Sequence, residues 1–295
     1  MSSWGKSVNL TPMSFIIRKA LIVYCSPSGS TAHVARVLNE KIKSLGIPVD
    51  LIDLAHEPDM AFIISQLPAA RDNLCFYIGS PVYGGYAIPP VMEFISRLPP
   101  AESGYSVPFV TYGGVTSGIA LQGMGQALSE RGYSVLGAAK IRAVHSIMWD
   151  SDTPIGKNRP DASDDRMIEE LALTVNAKLK LGNPPGLDLS ILAYQPEGIR
   201  SMMQKGDFES ARRDYPPITL NGQACTGCGV CAEVCPMDAV TFSRHLEIAS
   251  SCISCFNCVR HCPEGAIAAD LSSAICRIRA AAEKHREQPE TQIFI

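Results

Sequence analysis

No run of about 18–20 apolar residues occurs in the 295-residue chain, so the sequence offers no helix to span a bilayer. Nor does the start of the sequence carry the apolar core of an export signal. Met1 to Pro12 is polar with Lys6 inside it, and Arg18 and Lys19 interrupt the residues after it. There is no block of Lys and Arg and no stripe of interleaved aromatics. The 26 basic and 29 acidic residues are spread along the chain to a net charge of −3, which sets nucleic acid aside as a partner. A dinucleotide fingerprint is also missing, since Gly123-Met-Gly125 is too short and opens no helix after a strand. Apolar residues are plentiful at 46%, enough for a sizeable core, and the length suggests about two domains. Eleven Cys without an export signal read as reduced thiols and metal ligands, in the cytoplasm of an organism living with little oxygen.

Eight of those Cys fall in two copies of one phrase, 27 residues apart. The first is Cys225-x-x-Cys228-x-x-Cys231-x-x-x-Cys235-Pro236, the second Cys252-x-x-Cys255-x-x-Cys258-x-x-x-Cys262-Pro263. Three thiolates two residues apart can wrap one face of an iron–sulfur cube, whereas a fourth three residues further on has turned away. Zinc favours paired Cys-x-x-Cys knuckles, and disulfides belong to secreted scaffolds. Pro236 and Pro263 fix the chain direction after the fourth Cys, while Gly227, Gly229 and Gly265 leave room for amides near sulfur. Residues 216–270 closely resemble a bacterial-type two-cluster ferredoxin. The resemblance implies two [4Fe-4S] clusters with exchanged fourth ligands: Cys225, Cys228, Cys231 and Cys262 for one, Cys252, Cys255, Cys258 and Cys235 for the other.

Upstream, short apolar runs at 20–25, 49–54, 73–79, 107–112 and 135–141 read as strands. Helical spacing recurs between them at 34–45, 59–67, 88–98 and 118–131, and again at 163–181. The alternation predicts an α/β fold, a doubly wound five-stranded parallel sheet, with ligands at the carboxyl ends of its strands. Ser26-Pro-Ser-Gly-Ser-Thr31 joins the first strand to a helix and crowds hydroxyls where helix amides lack partners. It has no Lys, so it is no P-loop; a phosphate held by neutral donors and an ordinary Ser-capped helix start both fit. Two Gly-rich loops with one aromatic each follow the third and fourth strands, Gly79 to Gly85 and Tyr112 to Gly118.

Residues 20–38 match the flavodoxin signature, from Ile22-Val-Tyr through Ser26, Gly29 and Thr31 to Ala35 and Leu38. Ser80-Pro81-Val82-Tyr83-Gly84-Gly85 is similar to the second flavin loop of flavodoxins and flavodoxin-like reductases. This resemblance covers about 19–181 and implies FMN. Ser26, Ser28, Gly29, Ser30 and Thr31 would hold the phosphate. Ser80 to Gly85 and Tyr112, Gly113 and Gly114 would flank the ring, with Tyr83 and Tyr112 as stacking candidates. These loops are nearly uncharged, unlike the acidic, aromatic-rich rim of many electron-shuttling flavodoxins.

The segment from Ala143 to Asp165, with His145, Trp149, Lys157 and Arg159, is longer than a simple turn. It reads either as a lid or docking surface over the flavin, with Trp149 at the cofactor, or as a surface insertion. Cys25, Cys75 and Cys276 are left over and read as small core hydrophobes. The whole chain resembles flavodoxin–ferredoxin fusion proteins of anaerobic bacteria and archaea. Its parts would be a flavodoxin-like FMN domain (1–181), an ordered linker (182–215), a small α+β two-cluster ferredoxin domain (216–270), and a C-terminal helix with a frayed tail (271–295). The implied function is electron transfer between two [4Fe-4S] clusters and FMN, and on to a redox partner protein or small electron acceptor. The rival is an FMN-dependent oxidoreductase acting on a small organic substrate. A homodimer, one chain's ferredoxin serving another's flavin, would follow if the linker held the domains apart.

Overall fold

The computed structural model describes residues 19–55, 59–65, 67, 74–102, 104–242, 246–285 and 287–295. The polar start from Met1 to Pro12 lies outside the described residues. Strands and helices alternate along the first half: β1 (Lys19–Tyr24), α1 (Ser30–Ser44), β2 (Val49–Asp53), α2 (Met60–Ser65), β3 (Leu74–Tyr83), β4 (Tyr86–Ala87), α3 (Pro89–Arg97), β5 (Gly104–Tyr112), α4 (Ala120–Glu130), β6 (Tyr133–Val135), β7 (Ala138–Arg142) and α5 (Ala162–Leu179). Five strands pair in parallel in the order β2-β1-β3-β5-β7, with short β6 also parallel to β5. The fifth expected strand is thus broken in two at Leu136 and Gly137. From β1 the chain turns one way to β2 and then returns to the other side as β3, which opens a crevice between the carboxyl ends of β1 and β3.

The central strands of the sheet are buried on both faces, whereas edge strand β2 is half-buried to exposed. In β1, Leu21 and Val23 join one core with Phe76, Phe94, Leu121 and Met124, while Ala20, Ile22 and Tyr24 join another with Val34, Leu38, Ile168 and Val175. Period-two alternation therefore sends each half of the strand under a different helix layer, α3 and α4 on one side and α1 and α5 on the other. A capping box at Asp161 and Asp164 starts α5.

The supposed loop at Ser80 to Tyr83 is instead the end of β3. It turns through Gly84 (φ 61°) and Gly85 (φ 94°) and pairs back with β4, Tyr83 opposite Tyr86. Two consecutive left-handed residues make the tight turn that matches strand twist, which explains the Gly pair.

The second half carries α6 (Glu197–Gln204), α7 (Phe208–Arg212), β8 (Thr219–Leu220), α8 (Val230–Glu233), β9 (Val240–Phe242), β10 (Leu246–Ile248), α9 (Asn257–Arg260), β11 (Ile267–Ala268), α10 (Ser272–Lys284) and β12 (Gln292–Phe294). The segment after α5 packs on the sheet layer through Leu187, Leu189, Leu192 and Tyr194. The Cys-bearing lobe holds two antiparallel two-stranded ribbons, β9 with β10 and β8 with β11. Its internal repeat extends to the backbone. Gly227, Gly229 and Asp238 take positive φ, and so do Ser254, Phe256 and Gly265, each 27 residues later. No described atom stands within 4 Å of a Cβ built on Gly227, Gly229 or Gly265, so there it is the left-handed backbone rather than crowding that calls for Gly.

The frayed tail expected from the sequence is not there. β12 pairs antiparallel with β7 at the sheet edge, Phe294 opposite Ala138. Upstream of it, Glu287 meets Lys140 at 2.5 Å, with side chains 8% and 1% exposed. Glu287 also accepts from the Ser117 amide and hydroxyl and from Gln195 Nε2, each at 2.7 Å. Local hydropathy misses this segment because its partners are distant in the chain and its anchor is a charge. Among the described residues no helix is long and apolar enough to cross a membrane.

Candidate functional site

A cavity of about 290 Å³ lies at the carboxyl ends of β1, β3 and β5. Ser28 and Ser30 line it at the start of α1, Pro81 to Gly85 along the β3–β4 turn, and Tyr112 and Gly113 after β5. Gly29 enters α1 in the left-handed region (φ 90°), and its own side is open where a Cβ would stand. The first turn of α1 offers amides to an anion, and the loop carries no cation. Close approach of the walls depends on Gly. A Cβ on Gly118 (φ 56°) would stand 2.1 Å from the Gly85 carbonyl oxygen, the same oxygen that accepts from the Ile119 amide at 2.9 Å.

Several hydroxyls singled out in the sequence hold the loops rather than line the cavity. Ser26 Oγ accepts from the Ala32 amide at 2.9 Å, so it occupies one amide in the first turn of α1, whose N-cap is Gly29. Thr31 shares a buried 2.8 Å hydrogen bond with Thr111. Ser80 donates to the Pro81 carbonyl and accepts from the Ile88 amide. Tyr112 lines the cavity, but its hydroxyl donates to the Glu290 carbonyl at 2.5 Å, tying the loop to the tail. Gly114 faces a neighbouring cleft.

Trp149 must be corrected outright: it is not in the cavity wall. The Val144 amide donates to Arg159 and the His145 amide to Ile155, so the 143–159 loop folds back on itself. The 3-10 turn Ser146–Met148 then delivers Trp149 to an apolar cluster with Ile147, Met148, Phe256 and Leu271. The loop is a docking surface for the Cys-bearing lobe. His145 does reach the cavity; burial pushes its imidazole down to about 4, so it is neutral at pH 7, and its Nδ1 has no partner among the described residues.

The eight Cys border two separate hollows. Cys225, Cys228, Cys231 and Cys262 surround one, with Pro263 beside them. Cys235, Cys252, Cys255 and Cys258 surround the other, with Pro236. Each hollow thus takes three thiols from one motif and the fourth from its twin, a donor set that fits an iron–sulfur cube. Cys228 is exposed, whereas Cys235 and Cys258 are buried. Of the spare thiols, Cys25 and Cys75 are buried core residues, and burial pushes Cys75 up to about 12. Cys276 is exposed on α10, not in the core.

The second hollow adjoins the cavity. Ile253 is buried in the sheet's own core, and Ser254 lines the cavity wall. Asn257 Nδ2 donates to the Pro27 carbonyl at 2.7 Å, which joins α9 directly to the Ser-rich loop. Tyr215 rests against Phe256 with ring centroids 5.7 Å apart. Met203, Tyr215, Arg277, Ile278 and Ala281 complete the roof. None of these roof residues was identified as a site residue from the sequence. The only sign of Ser254 was its place between two ligand-spaced Cys. In this chain the Cys-bearing lobe closes the chain's own cavity.

Residues 217–263 match the family described as a 4Fe-4S dicluster domain. Comparison with curated proteins returns no match. Among solved structures, rubredoxin oxygen:oxidoreductase from the anaerobe Desulfovibrio gigas is 22% identical, with TM-score 0.45, over 57% of this chain and 38% of its own. A flavodoxin from the domain Archaea is 20% identical, with TM-score 0.41, over 55% of this chain and 99% of its own. A flavodiiron core from Synechocystis is 18% identical, with TM-score 0.43, over 57% and 37%. This chain therefore spans well under half of the first and third of these proteins. The fold rests on the strand order described above, and the assignment of 217–263 on its Cys motifs and family match.

Proposed function

We propose that the protein is an electron-transfer flavoprotein with FMN in the 290 Å³ cavity and a [4Fe-4S] cluster in each Cys hollow. Bound clusters would supply one-electron transfers, and FMN would accept or give one or two. One observation carries the reading: the wall of the cavity is shared with the loop that lines the second hollow, through Ser254, and is fixed by the Asn257–Pro27 hydrogen bond. Ser28, Ser30 and the first amides of α1 would hold the phosphate, and Tyr83 and Tyr112 would border the ring. Cys225, Cys228, Cys231 and Cys262 would ligate the outer cluster, Cys252, Cys255, Cys258 and Cys235 the inner one. Exposed Cys228 puts the outer hollow where a redox partner protein or small acceptor can approach. A cytoplasmic setting with little oxygen suits such thiols.

Metal and flavin analysis of anaerobically purified protein tests this. Cys228→Ala and Cys262→Ala should each lose about half the iron and sulfide while keeping FMN. Ser28→Asp with Ser30→Asp should lose FMN and keep the iron. Full iron in either Cys variant would sink the ligand set; undiminished flavin in the Asp variant would sink the phosphate loop.

A second reading has its own observation. Neutral His145, with Nδ1 unpartnered among the described residues in the cavity wall, could give or take a proton from a small organic acceptor. An anaerobic reductive titration followed at the flavin absorbance separates the two: flavin reduction in two one-electron steps favours the carrier, direct two-electron reduction the oxidoreductase.

A further inference from the structure

A second and larger cavity, about 710 Å³, lies beside the first, across the Gly113–Gly114 loop and α10. Four cations border it, Arg142, Lys157, Arg159 and Arg279, against one lining carboxylate, Glu283. Two of the four are neutralised from behind: Arg142 pairs with Glu290, and Arg159 with Asp164 at 2.5 Å and Asp161 at 3.4 Å. Among the described residues the other two bond to neutral oxygens. Lys157 Nζ donates to the Asp152 carbonyl at 2.9 Å, and Arg279 to the Ser151 hydroxyl and Thr153 carbonyl, both at 3.0 Å. Arg142 Nε and Arg159 Nε are moreover buried with no hydrogen-bond partner among the described residues. A buried donor left without a partner is unfavourable, and both of these donors belong to guanidinium groups that border one cavity.

We propose that this cleft binds a small multiply charged anion, with phosphate or carboxylate oxygens accepting from these guanidinium and ammonium groups. The geometry suits the task. Arg forks recognise such oxygens with paired donors, and Lys adds a mobile point charge. Gly114 (φ 77°) matters as well, since a Cβ there would stand 2.8 Å from Ile155 Cγ2 and 3.0 Å from Arg142 Nε. The 143–165 loop thereby has a second use: one side seats the Cys-bearing lobe, and the other presents Lys157 and Arg159 to the cleft. The anion site does not depend on which redox groups the protein carries. Arg277, Ile278 and Ala281 of α10 face the first cavity and Arg279, Ala282 and Glu283 the second, so one helix connects the two sites.

Isothermal titration of the full-length, FMN-saturated protein with inorganic pyrophosphate and with citrate tests the proposal, with ionic strength balanced by NaCl. One saturable site is expected. Lys157→Gln and Arg279→Gln should each weaken it roughly tenfold, the size of one charge-assisted hydrogen bond. Lys157→Arg should restore it, and Lys41→Gln, on a remote surface ion pair with Glu169, should leave it unchanged. Binding of pyrophosphate alone identifies a phosphate ligand; binding of citrate alone identifies a carboxylate. Absence of saturable heat with both anions overturns the proposal. So does binding unmoved by both Gln variants, which would locate the anion elsewhere, or capture of polyglutamate without either small anion. Thermal denaturation of each variant separates lost binding from lost fold.

Discussion

His145 carries the most informative charge state of any single residue. Held near 4 by burial, it binds no proton in the folded protein between about pH 4 and 6.5, while the unfolded chain does. Stability therefore falls on acidification through that window, by up to about 3 kcal/mol from this group. His145→Gln should flatten that part of the profile. Urea unfolding measured at several pH values checks it, and a constant gap between variant and parent would mean that His145 is not buried neutral. Residue types at the site were legible where covalent spacing fixes geometry, as for the eight Cys, or where a turn demands Gly, as at Gly84 and Gly85. Trp149 was not legible, because periodicity says nothing about which way a folded-back loop points. Ser254 and Phe256 hold left-handed backbone without being Gly, at a cost of roughly 1–2 kcal/mol each; Phe256 is buried against Tyr215, and Ser254 lines the cavity. The first motif places Gly at the two matching positions, whereas Asp238 (φ 44°) holds left-handed backbone where the second motif has Gly265, so each half of the repeat bears some of this strain.

Among the elements, the core strands were readable because both faces are buried and their apolar runs are continuous. β12 was not, since three residues at a sheet edge have no period of their own. What fixes the tail is the Lys140–Glu287 pair. Burial pushes the Glu287 carboxyl up, yet the Lys140 ammonium and the Ser117 and Gln195 donors outweigh it and hold it below the usual range. This stabilisation is present at neutral pH and is lost as acid protonates Glu287. Glu287→Ala leaves the ammonium buried alone and should cost about 3–5 kcal/mol, whereas Glu287→Leu with Lys140→Met should recover much of it. Chemical denaturation of the three proteins measures both, and a double variant no better than the single one would argue against the buried-charge account.

At the scale of the molecule, the boundaries drawn from sequence do not divide the packing. Leu192 from the linker, Ile253 from between two Cys and Phe294 from the tail all sit in one core with Val23, Phe76 and Leu121. Each such side chain is worth roughly 1.5–3 kcal/mol when buried. A chain cut after Leu181 should therefore be destabilised by several kcal/mol and bind hydrophobic dyes, as read by fluorescence and thermal melting. Cooperative, full-strength unfolding of that fragment would show the lobes to be independent.

Among the described residues the sheet begins at residue 19 and is not closed at its edge until residue 294. The cavity wall likewise draws on positions from Ser28 to Ala281. A ribosome releases these pieces in order, so the early strands emerge long before β12 can close the sheet edge and before the later residues that cover the core face. The cavity, too, is complete only after such a wait. On the function proposed above, a flavin would meet its full cavity wall only once the Cys-bearing lobe and α10 had been made, so that loading of the cofactors would be a matter of timing as well as affinity.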